Sequence, residues 1–357
     1  MDIVEATKSY EAWLGARVTL VRRDVKTKHA IMHDSAFGFL RATYYRWVQQ
    51  YPVLCAGPAK APKVLGIGDL HLENFGTWHD GQARLVWGIN DFDEAATLPY
   101  TIDLVRLAAS ALIAIGEDSL DIGAKRACNE IVSGYAAGIA AKDLKPFVLE
   151  EDNPALRAIA MSGRHEPKAF WKTILAGKTA MPPDDAKSLM LHHLPRGMTD
   201  MTFRRRVAGA GSLGLPRFAG VGMLDGSYVG REVKARAPSA RVWAGAGADS
   251  PGSYGRIVTR AMRPRDPFLH VTPHWIVRRL APHSERIVLE DIARATERRA
   301  VLHAMGVETA NIHRGTTGAA ARIKRHLAAQ EDGWLHDAAA RMAEAVRKDW
   351  KVWKKRG

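Results

Sequence analysis

Apolar positions return along this chain with two different periods, and the change of period divides it. In residues 1 to 60 they recur every three to four places. The stretch "SAFGFLRATYYRWVQQY" is the clearest amphipathic example, and this spacing predicts helices. "KVLGIGD" is a short apolar run ending in a glycine turn, and "ARLVWGIND" is a second run ending in acids. Both read as strands, and the turn "HDGQ" between them suits a hairpin. In "TIDLVRLAASALIAIG" the positions of Ile102, Val105, Leu107 and Ala108 fit a 3.6-residue period better than alternation, so a helix begins there. Residues 118 to 195 continue as helices, interrupted at Pro154 and at "MPPDD".

Near residue 205 the texture changes. "VAGAGSLGLPRFAGVGMLDGSYVGREVKA" is glycine-rich, with β-compatible pieces around an "LDGS" turn, and predicts three antiparallel strands. A short helix around 254 to 263 and short strands near 268 to 271 and 274 to 280 follow. "RLAPHSER" reads as a linker, and the chain is helical from 288 onward. Three parts result: a helical part with a hairpin over 1–200, a β-rich part over 201–282, and C-terminal helices over 283–357. No internal repeat or low-complexity tract is present.

Composition narrows the class. The chain has 357 residues, of which 46% are apolar and 25% charged. That is an ordinary globular mixture with room for about two compact units. The two cysteines, Cys55 and Cys128, give neither a disulfide framework nor a zinc spacing. "MDIVEATKSYEAW" has no signal-peptide character and no apolar run approaches membrane-spanning length, so the expected location is the cytoplasm and no membrane is expected as partner. Fifty-two Lys and Arg stand against 38 Asp and Glu, a net charge of +14. Such an excess favours anionic ligands, with nucleotides ahead of nucleic acid, although a basic solvated surface gives the same number.

Chemistry concentrates in two acidic turns. In "GIGDLHLENFG" Asp69 and Asn74 are five apart after a strand, and Asp91 ends the next strand, in Asp91-Phe92-Asp93. Phosphoryl transfer needs this grouping: one carboxylate to take the proton of the attacking hydroxyl, and an amide oxygen and further carboxylates for magnesium, which prefers oxygen ligands. The same five-residue spacing separates base and metal ligand in the protein-kinase catalytic loop. Turn-capping is the plainer reading of each residue alone. Asp69-Leu70-His71 is also an Asp-x-His of binuclear metallophosphatases, but the Gly-Asn-His triplet that chemistry needs is absent.

Gly209-Ala210-Gly211-Ser212-Leu213-Gly214 fits G-x-G-x-x-G. A dinucleotide fold requires a buried strand before such a loop and a helix within it. Here "FRRRVA" precedes and Pro216 follows, so the context is strand, loop, strand, as in a flap over phosphates. Lys234 lies twenty residues further on, on the strand "YVGREVKA", where such a fold keeps its phosphate-binding lysine. The order is inverted, however: loop and lysine follow the catalytic Asp by about 140 residues. A kinase reading therefore demands a circular permutation, with the helix "VETANIHRGT" near the C-terminus supporting the catalytic turn.

"FGFLRAT", "GDLHLENFG", "INDFDEAATLPYTIDLVRLAAS", "GAGSLGLPRF", "EVKA", "DPFL", "IVRRL" and "TANIHR" occur in this order between Phe37 and about Arg314. In these segments the chain resembles the bacterial "domain of unknown function 2252" family. The resemblance implies an α+β, protein-kinase-like two-lobed fold, circularly permuted and related to aminoglycoside and choline phosphotransferases. It implies Asp69 as base, Asn74 and Asp91 as metal ligands, and Asp103 as a buried brace of the catalytic turn. Asp93 and Glu94 are candidates for a second metal or plain surface acids, and His71 is read as a brace. Gly209, Gly211, Ser212, Gly214 and Lys234 would hold the nucleotide, ATP with Mg2+, and an unidentified small molecule would accept the phosphate.

Two departures stand out. Ile67 occupies the place of a His two before the base, and Thr259 that of the Glu that normally pairs with the lysine. Glu232, on the same strand face as Lys234, is the candidate substitute. Arg41 and Arg278 suit either phosphate or a structural ion pair, the second being favoured. Trp350 and Trp353 in the tail read as packing residues. Two alternatives to small-molecule phosphorylation stay open, a non-catalytic nucleotide binder and an AMP transferase. The acceptor pocket is expected among the helices of 1–60 and 118–195.

Overall fold

The computed structural model describes residues 1–118, 121–150, 153–162, 166–247, 252–282, 284, 286 and 289–355. The chain opens with helices α1 (Ile3–Gly15), α2 (Arg22–Asp34), α3 (Ala36–Ala42) and α4 (Tyr44–Leu54). Asp2 starts α1 by accepting from Val4 and Glu5 while Glu5 reaches back to the Asp2 N–H, so the first free amides are satisfied. Strands β1 (Lys63–Gly66), β2 (Phe75–His79), β3 (Leu85–Ile89) and β4 (Ala96–Pro99) follow. Then come α5 (Tyr100–Asp118), α6 (Ala124–Ala140), β5 (Phe147–Val148), α7 (Pro154–Ser162), α8 (Pro167–Leu175) and α9 (Asp184–His192). The β-rich part holds β6 (Thr199–Arg205), β7 (Arg217–Leu224), β8 (Ser227–Ala235), the short helices α10 (Ala240–Trp243) and α11 (Ser253–Arg260), β9 (His270–Val271) and β10 (Trp275–Leu280). Helices α12 (Ala295–His313), α13 (Ala319–Ala328) and α14 (Trp334–Lys354) complete the chain. The fold class is thus α+β with small antiparallel sheets, and no helix among the described residues is long and apolar enough to cross a membrane.

The expected hairpin forms with a different partner. The Asp80–Arg84 turn joins β2 to β3, with Phe75 opposite Ile89 and His79 opposite Leu85, whereas β1 pairs with β4. Strand β2 was hidden because its "FGTWH" shows neither a clean apolar run nor alternation. The Asp-Gly turn at 225–226 behaves as its residues require. Both have positive φ, 48° and 78°, which closes a two-residue hairpin between Leu224 and Ser227. The sheet it belongs to has five strands in the order β6-β7-β8-β10-β9, and its first strand lies ahead of the glycine-rich segment in which three strands were expected.

One large core joins the opening helices, β1 to β4, α5, α6 and α12 to α14, through residues such as Tyr45, Trp87, Val105, Met305 and Met342. The C-terminal helices therefore return to the N-terminal part. Helix α12 lies against α6 at backbone distance: a Cβ on Gly134 would sit 2.0 Å from the His303 carbonyl oxygen, and one on Gly306 2.2 Å from that of Ile131. The five-stranded sheet has smaller cores of its own. Ala186 and Met190 pack with Val233 and Val277, and Trp171 and Ile174 pack with Ala219 and Leu280. Helices α8 and α9, assigned from sequence to the 1–200 part, thus pack on this sheet. In the tail, the Trp350 indole N–H donates to the His33 carbonyl and Trp353 lies edge-on to His29, so both tryptophans pack against α2.

Candidate active site

Beyond β1 the chain turns sharply at Gly68, whose φ is 86° and where a Cβ would meet the Glu94 carbonyl oxygen at 2.6 Å. The turn is held from beneath by Asp103 on α5, which is fully buried. Its Oδ2 accepts from the Ile67 N–H at 2.8 Å and its Oδ1 from the Gly68 N–H at 2.7 Å. His313 of α12 reaches the same carboxylate, Nε2 to Oδ2 at 2.8 Å. A carboxylate only accepts, so Nε2 carries the hydrogen, which leaves Nδ1 to the Tyr135 hydroxyl at 2.8 Å. Thr316, just past α12, accepts the Leu65 N–H. The segment "VETANIHRGT" therefore does support the turn.

Asp69 projects from this turn. Arg106, three residues after Asp103 and so on the same face of α5, donates Nε to Asp69 Oδ1 at 2.7 Å. The guanidinium is buried between the Tyr44 and Trp47 rings and also donates to the Leu40 carbonyl. Burial raises the Asp69 pKa above the ordinary carboxylate range, and Arg106 restrains the rise. Neighbouring His71 is buried. Burial and the charges of Arg41, Arg106 and Arg286 hold its pKa well below the usual histidine value, so it is neutral. The Asn74 side-chain oxygen accepts the His71 N–H at 2.6 Å, so part of its capacity as a metal ligand is already used inside the turn.

Asp91 and Asp93 follow β3, and Glu308 of α12 braces that strand. Its Oε1 accepts the Ile89 N–H at 3.2 Å, and its Oε2 accepts from the Asn311 amide at 3.0 Å. Burial raises the Glu308 pKa to about 7. Lys234 enters from β8, 141 residues later, and donates Nζ to Asp93 Oδ2 at 2.5 Å while standing 3.6 Å from Asp91 Oδ1. One ammonium thus serves two carboxylates. Burial disfavours charge on both. At Asp91 it is outweighed by Lys234, Arg278 and Arg217, and the pKa falls. Asp93 rises, because burial and the Asp91 charge outweigh Lys234.

The glycine loop comes down on this turn. A Cβ on Gly211 would lie 3.3 Å from Asp69 Oδ2, and Ser212 Oγ accepts from Arg217 at 2.8 Å. Asp69, His71, Asn74, Asp91, Asp93, Gly209, Gly211, Ser212 and Lys234 all line one cavity of about 290 Å³. Asp103 lies under it. Gly214 is turned away, its carbonyl taken by the Val21 N–H and its Cα facing Val25 and Leu20, so it holds the loop to the opening helices instead of covering the cavity.

Three sequence expectations are corrected. Glu232 pairs with Arg206 and Arg217, not with Lys234, and although burial opposes it these arginines hold its pKa down at about 2. Lys234 instead spans to the acids opposite. Glu94 is not a plain surface acid: it is half-buried on the cavity wall, its Oε2 accepts from the Ser239 hydroxyl and the Ala240 N–H, and burial raises its pKa to about 7. Arg278 bonds the Tyr254 hydroxyl on α11, whereas Thr259 of that helix is exposed and bonds its own backbone. Arg41 forms the structural pair favoured for it, a bidentate contact with Glu73. Arg106, Glu308 and Lys28 line or brace the site and were missed. For Arg106 and Glu308 the signal is a lone charge in an otherwise buried stretch of helix, which needs a partner, whereas Lys28 stands in a largely exposed, charge-rich helix and carried no such signal.

Among the described residues no three His, Cys, Asp or Glu side chains converge as a metal-ion cage. The donors that face the cavity, Asp91, Asp93 and the remaining capacity of Asn74, are oxygens, which suits a hard ion bound jointly with phosphate.

Residues 20–152 match the model of the family described as "Uncharacterized protein conserved in bacteria (DUF2252)". This match supports the family resemblance carried by "GDLHLENFG" and "INDFDEAATLPYTIDLVRLAAS". No curated protein and no solved structure matches the chain.

Proposed function

We propose that the chain is a phosphotransferase of permuted, two-lobed kinase-like fold, which binds Mg-ATP in this cavity and phosphorylates a hydroxyl of a small molecule. The observation that carries the reading is Lys234, which meets Asp91 and Asp93 across a cavity that also holds Asp69 and the glycine loop. One ammonium stands against two acids on the cavity wall, and this juxtaposition of charges supports a site for phosphate and a cation. With Mg-ATP bound, Lys234 would hold the phosphates, and Asp91, Asp93 and the free capacity of Asn74 would hold magnesium, which would supply charge neutralisation for the phosphates. Arg217 and Arg278 add positive charge around the phosphates, and Phe170, Phe268, Leu280 and Ala281 offer an apolar wall for the base.

In this reading Asp69 serves as the base. Arg106 occupies Oδ1 and fixes the carboxylate, which leaves Oδ2 toward the cavity. Its raised pKa makes it a better proton acceptor than an ordinary aspartate. The acceptor oxygen bonds to the terminal phosphorus, the bond from that phosphorus to the bridging oxygen breaks, the proton goes to Asp69, and ADP leaves. A second reading, nucleotide binding without turnover, is favoured by one contact: the loop lies directly on Asp69, where a substrate hydroxyl would have to sit.

Incubation with magnesium and ATP labelled at the α or γ phosphate, together with a metabolite extract, separates the readings. Label from γ on a small product, lost in Asp69→Asn, supports the phosphotransferase. Tight ATP binding without turnover, unaltered in Asp69→Asn, supports the binder, and α label on protein shows AMP transfer.

A further inference from the structure

Part of the cavity wall is unused by the nucleotide reading. It comes from the opening helices and the acidic turn: Tyr10 and Leu14 of α1, Lys28 of α2, Tyr44 and Tyr45 of α4, and Glu94. Lys28 is 5% exposed, and among the described residues its ammonium makes no ion pair. Its one hydrogen bond is a long one, 3.4 Å to the Gly211 carbonyl. The Tyr10 and Tyr45 rings stand 5.8 and 5.7 Å from Nζ. Ring faces offset only part of the cost of burying an isolated ammonium. The Tyr44 hydroxyl, also buried, has no hydrogen-bond partner among the described residues. Two buried donor groups therefore line the space next to the Gly211–Asp69 contact, one with a single long hydrogen bond and the other with none.

An acceptor molecule bearing a carboxylate supplies what is missing. Glu94 does not satisfy Lys28: among the described residues neither of its oxygens lies within ion-pair distance of the ammonium, and its Oε2 accepts from Ser239 and Ala240. We propose that this end of the cavity is the acceptor subsite and that the acceptor is a small hydroxy-carboxylate, its carboxylate on Lys28 and the Tyr44 hydroxyl, its hydroxyl at Asp69. The assignment of the hydroxyl rests on the phosphotransferase reading, whereas the carboxylate contact does not.

The test is a calorimetric titration of the full chain, without nucleotide, with glycerate and gluconate against their uncharged counterparts glycerol and glucitol. The carboxylates should bind at least about tenfold more tightly than the alcohols, the factor that one charge-assisted hydrogen bond supplies. Lys28→Met should lose that difference and Lys28→Arg should keep most of it, while Mg-ATP affinity stays within about threefold in both. Alcohols that bind as well as the acids, no binding by either, or carboxylate affinity unchanged in Lys28→Met would each overturn the proposal. So would loss of Mg-ATP affinity in Lys28→Met, since the lysine would then serve the nucleotide. If carboxylates bind through Lys28 but Mg-ATP does not bind the wild-type chain, the phosphotransferase reading fails and the subsite stands.

Discussion

Asp103 performs with one carboxylate what several residues often share: it accepts two backbone N–H groups of the turn that carries Asp69 and the His313 ring N–H. In Asp103→Asn a single amide oxygen remains, and its NH2 must face one of these donors. A buried donor left unmatched costs about 1–3 kcal/mol. Thermal unfolding should therefore begin several degrees lower, and an unchanged midpoint would contradict the bracing role. Glu308 gives a prediction in pH. Its carboxyl titrates near 7 in the folded chain and near 4.5 when unfolded, so the folded state binds the proton more tightly. Stability must fall as pH rises from about 4.5 to 7, by at most about 3 kcal/mol from this residue. Glu94 contributes in the same window with the same sign. Glu308→Gln, whose NH2 can donate to the unpaired Asn311 oxygen, should flatten part of that slope in denaturant titrations at pH 5 and 8. A slope as steep as wild type would show that Glu308 does not carry it. Asp69, Asp91 and Lys234 were legible in the sequence because each sits at the end of a strand or on one, in a pattern with a chemical purpose. Arg106, Glu308 and Lys28 were not, because a single charge in a helix looks the same whether it meets solvent or a buried partner.

Helix α12 links the two halves of the site. Its Glu308 holds the strand that ends in Asp91, and its His313 holds the Asp103 that supports Asp69. The helix keeps this position because Gly306 and Gly134 let it approach α6 to backbone contact. Gly306→Ala drives a methyl against the Ile131 carbonyl. It should cost roughly 2–3 kcal/mol, as overpacking does, and should disturb the site by moving both braces. Wild-type stability and unchanged nucleotide affinity in this variant would sever α12 from the site. At this scale the helices were legible from their 3.6-residue spacing, and the β7–β8 hairpin from its Asp-Gly turn. Strand β2 was not, since its burial on both faces removes alternation. The pairing of β1 with β4 was also beyond local reading, because residues far apart in a chain carry no mark of their register.

At the scale of the molecule, the C-terminal helices return to the N-terminal core, as the proposed permuted order of loop, lysine and acidic turn requires. The net charge of +14 has a local counterpart, because ten Lys and Arg line the cavity, Lys28, Arg206, Arg217, Lys234 and Arg278 among them, against seven Asp and Glu. The positive charge of the cavity was therefore legible in composition, whereas the wall proposed for the acceptor was not, because it is assembled from helices that carry no motif. The account depends above all on the ammonium of Lys234 facing Asp91 and Asp93. Calorimetric titration of Mg-ATP into wild-type chain and Lys234→Met, at matched ionic strength, tests it most directly. Saturable one-to-one binding that weakens at least about tenfold in the variant is the expected result. No binding to the wild type, or equal affinity in the two proteins, would contradict it.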